Sequence, residues 1–366
     1  MKKSVITLAL VLVIALLTGC AGTPVVYYSD CTCPTGAHTE TTPADTTPVE
    51  TEPVLTTDPV AEGAVKTGVA IVASAAESKS AGDADGEAKY DVTVVAVTVD
   101  DNGVIQSCVI DSIGTSVLFD VTGAIVSDLN AEILTKNELG DNYNMKLYGG
   151  AVAEWYEQAA ALASYAEGKT LEELKAGAVG ETGYAQDADL ATSATIYLGG
   201  YVSAIEVAVA EAEHLGAQAG DELKLGITVS AGSSKSADAE NVGTAQLDVD
   251  AVALTMKDGV ITSAQIDSLQ GKVTFDATGT VTGGTDGWFA TKNQLGEQYG
   301  MVAWGGAIAE WDAQAASFAS YITGKTPAEV AGIAVDETTK PTDADLLTSV
   351  TIKIGGFQAL IAKTCG

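Results

Sequence analysis

The sequence repeats itself at a constant distance of 156 residues, and this repeat restricts the fold more than any other feature. Gly103 recurs as Gly259, and no gap is needed from there to the last predicted helix. Further matches are Lys136-Asn137 with Lys292-Asn293, Glu154-Trp155 with Glu310-Trp311, Gly168-Lys169-Thr170 with Gly324-Lys325-Thr326, and Asp187 to Leu190 with Asp343 to Leu346. A period this long indicates two copies of one domain rather than a solenoid of short repeats. We place the copies at residues 63–214 and 220–366.

Each copy shows the pattern of strands followed by helices. Alternating apolar residues predict strands over 91–99 and 247–256, and a glycine turn leads each into a second strand, over 104–110 and 260–266. Turns at Thr122-Gly123 and Thr278-Gly279 predict a further hairpin. Helical spacing then covers 151–167 and 307–323, capping boxes open short helices at Thr170 and Thr326, and apolar stretches 196–212 and 352–362 are candidates for a last helix. The expected class is therefore α+β, with two tandem antiparallel sheets that carry packed helices.

The N-terminus has the features of a bacterial lipoprotein signal. Lys2 and Lys3 precede an uncharged, mostly apolar run of 14 residues, which is shorter than the roughly 20 residues that span a bilayer. The run ends in Leu-Thr-Gly-Cys, which resembles the lipobox. The resemblance implies that residues 1–19 are removed as a signal peptide and that Cys20 is lipidated, so that membrane lipid holds the protein outside the cytoplasm. Residues 20–62 are rich in Thr, Pro and Glu and poor in large apolar side chains, which predicts a disordered tether.

The charge balance excludes several functions. The chain has 49 acidic residues against 18 basic ones, its net charge is −31, and every basic residue is a lysine. Because nucleic-acid binding needs a basic surface, we expect no nucleic acid as a partner. Two histidines cannot supply a His-based metal site or a Ser-His-Asp triad in both copies, so we expect no metal and no catalytic triad.

A short motif closes each copy. Asp189 stands six residues before Thr195 and Asp345 six before Thr351, and Thr192 and Thr348 supply a hydroxyl between them. This spacing resembles the D-x-x-[ST]-G-A-T motif of the FMN-binding domain family. In that family a flavin transferase esterifies the final threonine with FMN, so the resemblance implies covalent FMN at Thr195 and Thr351.

The sequence departs from this motif at one position in both copies. Ser193 and Ser349 stand where the family has glycine, and Val350 replaces an alanine in the second copy. If the glycine is needed for a positive φ or for close approach of the transferase, a serine would block modification. The second copy, which departs twice, is then the weaker candidate. The Asp-x5-Thr segment also fits the N-terminus of a helix, with Asp or Thr as its cap.

A flavin ring would need apolar and aromatic cover. The candidates are Tyr143, Met145 and Trp155 in the first copy and Tyr299, Met301 and Trp311 in the second, while Lys136 and Lys292 would stabilise a reduced anionic ring. The helical spacing of both tryptophans fits simple core residues equally well, and the lysines fit a solvated surface.

These observations leave two hypotheses. The first is an extracytoplasmic, lipid-anchored electron carrier with two FMN-binding-like domains, whose partners are a flavin transferase and a membrane redox donor. The second is a flavin-free surface lipoprotein that binds a ligand, an envelope component or a partner protein. Both describe a carrier or a binding protein rather than a stand-alone enzyme.

Overall fold

The computed structural model describes residues 63–366, so the predicted signal peptide 1–19, the predicted lipidation site Cys20 and the predicted tether 20–62 lie outside the described residues. The first copy contains β1 (Lys66–Ser74), β2 (Gly86–Val99), β3 (Ile105–Phe119), α1 (Lys136–Leu139), α2 (Met145–Gly149), α3 (Trp155–Ala166), α4 (Leu171–Ala178), α5 (Ala188–Ser193) and α6 (Gly199–Ala210). The second contains β4 (Glu222–Ser230), β5 (Gly243–Lys257), β6 (Val260–Phe275), β7 (Val281–Gly283), α7 (Lys292–Leu295), α8 (Met301–Gly305), α9 (Trp311–Ile322), α10 (Pro327–Ala331) and α11 (Gly355–Cys365). The predicted α+β class, with an antiparallel sheet and helices in each copy, is confirmed.

Each copy builds an antiparallel sheet in chain order. The strand order is β1-β2-β3 in the first copy and β4-β5-β6-β7 in the second. The two sheets pack face to face through alternate residues of their strands, and Phe119 stacks on Phe275 with ring centroids 4.0 Å apart. Tyr90 crosses the same interface, where its hydroxyl donates to the Ala245 carbonyl oxygen. The two copies therefore share one central hydrophobic core, in the manner of a sandwich.

The helices cover the outer face of each sheet. Strand residues that point away from the central core, such as Val95 and Val97, pack against α3 and α6 in the first copy. Val252 and Leu254 pack in the same way against α9 and α11 in the second copy. The result is four layers, helix–sheet–sheet–helix, because each long strand is apolar on both faces.

Three sequence expectations are refined by the structure. The long helices begin at Trp155 and Trp311, four residues later than predicted, because Glu154 and Glu310 adopt extended N-cap conformations. The last helices begin at Gly199 and Gly355, three residues after the predicted starts at 196 and 352. The predicted second hairpin consists of β6 and β7 in the second copy. In the first copy the same segment forms only an isolated bridge between Phe119 and Ile125.

The 156-residue offset does not extend to every strand. β2 and β5 match at an offset of 157, since Gly86 faces Phe119 and Gly243 faces Phe275. The turn that leads into β6 is one residue shorter than the turn that leads into β3. Thr93 therefore corresponds to Asp250, and this replacement lies in the candidate site described below.

No helix within residues 63–366 is long and apolar enough to cross a membrane.

Candidate functional site

A buried glutamine fixes the motif threonine in each copy. The Gln314 side-chain oxygen accepts hydrogen bonds from the backbone N–H groups of Thr351, at 2.8 Å, and Ile352, at 3.2 Å. The Thr351 hydroxyl lies 3.1 Å from the same oxygen and donates to it, while the Gln314 amide nitrogen donates to the Ala309 carbonyl. Gln158 makes the same contacts with Thr195 and Ile196 in the first copy. The glutamine side-chain oxygen thus fixes the position of the threonine hydroxyl in each copy.

The repeated Lys-Asn pair owes its position to a buried carboxylate on the sheet. Asp267, on β6, accepts a hydrogen bond from the Asn293 backbone N–H, and the Asn293 side chain donates to the Ile266 carbonyl. Thr291 caps α7 through a capping box. These contacts place Lys292 with its ammonium 4.7 Å from the Trp311 ring centroid and 5.3 Å from that of Tyr299, as cation–π contacts require.

The repeated Glu-Trp pair holds the Tyr-x-Met segment. Both carboxylate oxygens of Glu310 accept backbone N–H groups at the start of α8, from Met301 at 2.7 Å and from Val302 at 3.0 Å. Glu310 is at the same time the N-cap residue of α9, whose first residue is Trp311. One carboxylate therefore fixes two of the predicted ring-covering residues relative to each other.

In the second copy several of the residues described above line a cavity of about 750 Å³. Thr351 lies in its wall together with Lys292, Met301 and Trp311, all of which the sequence singled out. The remaining wall includes Asp250, Ser268, Thr339, Lys340, Lys353, Gly356 and Phe357. Trp311 is only 5% exposed, so it belongs to the core and to the cavity wall at once.

The corresponding cavity of the first copy is smaller, at about 310 Å³. Lys136, Tyr143, Met145 and Trp155 line it, but Thr195 is not part of its wall. The ring of Tyr197 is part of its wall and lies so close to Gly183 that a Cβ atom there would come within 2.0 Å of it.

In the second copy Lys353 replaces Tyr197, and Thr339 replaces Gly183. Thr339 adopts a φ of +66°, which is rare for a β-branched residue and marks local strain. Its carbonyl oxygen accepts hydrogen bonds from the N–H groups of Ile354 and Gly355, which connect the loop that contains Thr339 to the start of α11. The cavity volumes thus favour the second copy, against the order that the motif departures predict.

The remaining motif residues lie on the surface beside the threonine. Asp189 and Asp345 are exposed, and their backbone carbonyls accept the hydroxyls of Thr192 and Thr348, both at 2.7 Å. The residue that caps the segment is Asp187, whose carboxylate accepts the N–H groups of Asp189 and Leu190. A helix therefore does begin at this stretch in the first copy, but its cap is Asp187 and not Asp189 or a threonine of the motif, so that part of the alternative prediction is wrong.

Neither motif serine occupies a backbone conformation that needs glycine. Ser193 is the last residue of α5, and Ser349 has a φ of −127°. Their hydroxyls donate to the carbonyls of Leu190 and Leu346. The replacement of glycine by serine thus causes no backbone strain here.

Burial shifts the titration of the charged groups in the second cavity. It lowers the pKa of Lys292, against the opposing effect of Asp250. Burial likewise raises the pKa of Asp250, although a hydrogen bond from Ser268 and the charge of Lys292 act the other way. Burial also lowers the pKa of Lys136 in the first copy. Because Thr93 stands there in place of Asp250, the carboxylates that oppose this effect are different ones, chiefly Asp91. The cation beside the ring-covering residues therefore has a different counter-charge in each copy.

The second cavity has the volume and the groups that FMN would need. Its volume falls within the roughly 300–1,000 Å³ range of small-molecule sites. The first turn of α11 opens into it at Gly356, where an added Cβ would meet no atom within 4 Å. Lys340 and Lys353 add positive charge for a phosphate. The first cavity lies at the lower limit of that range, and its threonine lies outside it.

Sequence reasoning missed Gln158 and Gln314, the residues that hold the motif threonines. A signal was present, because both recur at the 156-residue offset and lie three residues after a tryptophan, on the buried face of the helix. It also missed Asp250, because the constant offset pairs this residue with Val94 instead of Thr93.

Comparison with known proteins finds no matching family model, and no curated protein or solved structure matches the chain.

Proposed function

We propose that the protein is an extracytoplasmic, lipid-anchored electron carrier that holds FMN as a phosphodiester on Thr351. The observation that carries the proposal is the position of Thr351 in the wall of a 750 Å³ cavity whose other walls are Trp311, Met301 and Lys292. The flavin transferase would supply FMN as part of a flavin dinucleotide. As Thr351 Oγ1 forms the phosphoester bond, the bond to the departing nucleoside monophosphate would break, and a base of the transferase would take the hydroxyl proton. Cys20 would anchor the carrier to the membrane beside its redox donor.

The geometry of Thr351 suits attack on a phosphorus atom. Its hydroxyl proton points to the buried Gln314 oxygen, so the lone pairs of Oγ1 are directed away from the protein core. Since Thr351 is half-buried at the cavity wall, an external transferase can reach it. Gln314 thus acts as a positioning residue for the modification.

The start of α11 provides the phosphate environment. The N–H groups of the first helical turn point out of the helix end, where the helix dipole favours negative charge. Lys340 and Lys353 line the same cavity. In a chain without arginine, these lysines and the covalent bond together replace the guanidinium clamp that usually holds a phosphate.

The inner part of the cavity provides the ring environment. FMN supplies one- and two-electron redox chemistry when it is bound. Trp311, Phe357 and Met301 give apolar cover and exclude water, and Lys292 places a positive charge beside it. The corresponding cavity of the first copy is smaller and does not include Thr195 in its wall, so we propose the second copy as the principal flavin site and Thr195 as a secondary one.

The test is co-expression with a flavin transferase, followed by acid precipitation and measurement of flavin absorbance in the pellet. We expect yellow, acid-stable protein, loss of most of the colour in Thr351→Ala, and loss of little in Thr195→Ala. Thr342→Ala, which removes an exposed hydroxyl outside the cavity, serves as the matched control and should retain full colour.

A colourless wild-type pellet would contradict the proposal and favour the flavin-free ligand-binding lipoprotein. Full colour in the Thr351→Ala variant would place the cofactor elsewhere and would equally contradict it.

A further inference from the structure

A second large cavity lies at the junction of the two copies, away from the motif threonines. Its volume is about 820 Å³, and we call it the junction cavity. Its walls are the end of α6 and the following chain to Leu215, the middle of β6, the α7 residues Asn293 and Gln294, and the outer face of α9 from Asp312 to Thr323. Residues of both copies therefore form it, and neither copy could form it alone.

The ionisable groups that line the junction cavity are Glu211, Glu213, Asp312 and His214, and His214 pairs with Asp101 outside the cavity. Glu211 is half-buried, and among residues 63–366 its carboxylate accepts a hydrogen bond only from the neutral Gln294 amide, at 3.0 Å. Burial raises the pKa of Glu211, which reflects how little compensates its charge. Asp312 has a buried carboxylate oxygen, Oδ1, without a hydrogen-bond partner among residues 63–366. No lysine is among the described residues that line this cavity.

The opposite junction of the same molecule indicates what completes such a site. Glu138 occupies in the first copy the position of Gln294 in the second, and it too faces the end of the last helix of the other copy. There the ammonium group of Lys363 binds the Glu138 carboxylate and donates to the Ile227 carbonyl at 3.1 Å. One junction thus has an alkylammonium group from the chain itself, whereas the other has carboxylates and an open cavity.

The wall of the junction cavity suits an alkyl chain. Ala313, Ala316 and Ala319 of α9 line it together with Ala264 of β6. Asp312 and Thr323 lie eleven residues apart along α9, which corresponds to about 16 Å at 1.5 Å per residue. Small side chains along this length leave room for a narrow, extended, apolar molecule, and Asp312 stands at one end of it.

We propose that the junction cavity binds a linear aliphatic polyamine, with one ammonium group beside Glu211 and the methylene chain along the alanines of α9. The alkylammonium would take the place that Lys363 takes at the opposite junction. This inference does not depend on the flavin site, because it shares no residue with the cavity around Thr351.

The test is calorimetric titration of the purified protein with spermidine at about 0.15 M salt, which screens exposed charges beyond roughly 8 Å. We expect saturable binding of one spermidine per chain. The double variant Glu211→Gln with Asp312→Asn should weaken it at least tenfold. The matched control, Asp286→Asn with Glu337→Gln, removes two exposed carboxylates outside the cavity and should leave the affinity unchanged.

A third variant keeps the cavity charges and removes the space. Ala316 is exposed to the cavity on the outer face of α9, so Ala316→Phe should fill the cavity without disturbing the core and should abolish binding. Non-saturable binding, or equal weakening in the cavity variant and in the control, would assign the interaction to general surface charge and overturn the proposal. Unchanged affinity in Ala316→Phe would overturn it as well.

Discussion

Replacing Gln314 by alanine should destabilise the protein strongly, because this buried side chain satisfies several groups at once. Gln314 is 0% exposed and accepts the backbone N–H groups of Thr351 and Ile352. Each buried N–H left without a partner costs about 1–2 kcal/mol, and a small cavity adds to that. We therefore expect a loss of about 3 kcal/mol in the free energy of unfolding, which lowers the melting temperature by roughly 6–12 °C.

Urea denaturation monitored by tryptophan fluorescence measures this loss. Gln158→Ala removes the same contacts in the first copy and should cost a similar amount, whereas Gln186→Ala removes an exposed glutamine and should cost less than about 0.5 kcal/mol. A loss below about 1 kcal/mol in Gln314→Ala would refute the conclusion that this residue fixes the motif threonine.

Three further predictions concern the core, the buried carboxylate and the strained loop. Phe275→Ala removes one ring of the stacked pair between the sheets and should cost about 3–5 kcal/mol in a urea titration. Burial raises the pKa of Asp267 to about 6, so the folded state binds more protons than the unfolded state between about pH 4 and 6 and loses stability as the pH rises through that range. Asp267→Asn should therefore gain stability relative to wild type between pH 4 and 7, and a constant difference would contradict this. Thr339→Gly should raise the free energy of unfolding by about 0.5–1 kcal/mol by relieving the positive φ, and a loss of stability would show that the loop is not strained.

Local chemistry allowed the helices and hairpins to be predicted from the sequence. Thr170 and Thr326 form the predicted capping boxes, and Gly168 and Gly324 follow the long helices with positive φ. These features depend on neighbours within a few residues, which the sequence shows directly. The start of α3 was misplaced because the apolar spacing continues into a segment that Glu154 holds in an extended conformation.

The features that depend on the third dimension could not be predicted. The strand β1 has a continuous apolar run, and both of its faces are buried because one packs on the other sheet and the other packs on helices. The role of Gln314 depends on a contact 37 residues away, and the difference between the two cavities depends on Tyr197 lying against Gly183. The pattern of residue types alone does not show which residues far apart in the chain are in contact.

The central claim is that the second copy carries the flavin on Thr351, and localisation of the modification tests it most directly. The protein is co-expressed with a flavin transferase, digested, and its peptides are sequenced by tandem mass spectrometry. The account predicts an FMN increment on the peptide that contains Thr351, at higher occupancy than on the peptide that contains Thr195. Both peptides at their unmodified mass, or an increment on Thr195 alone, would contradict it.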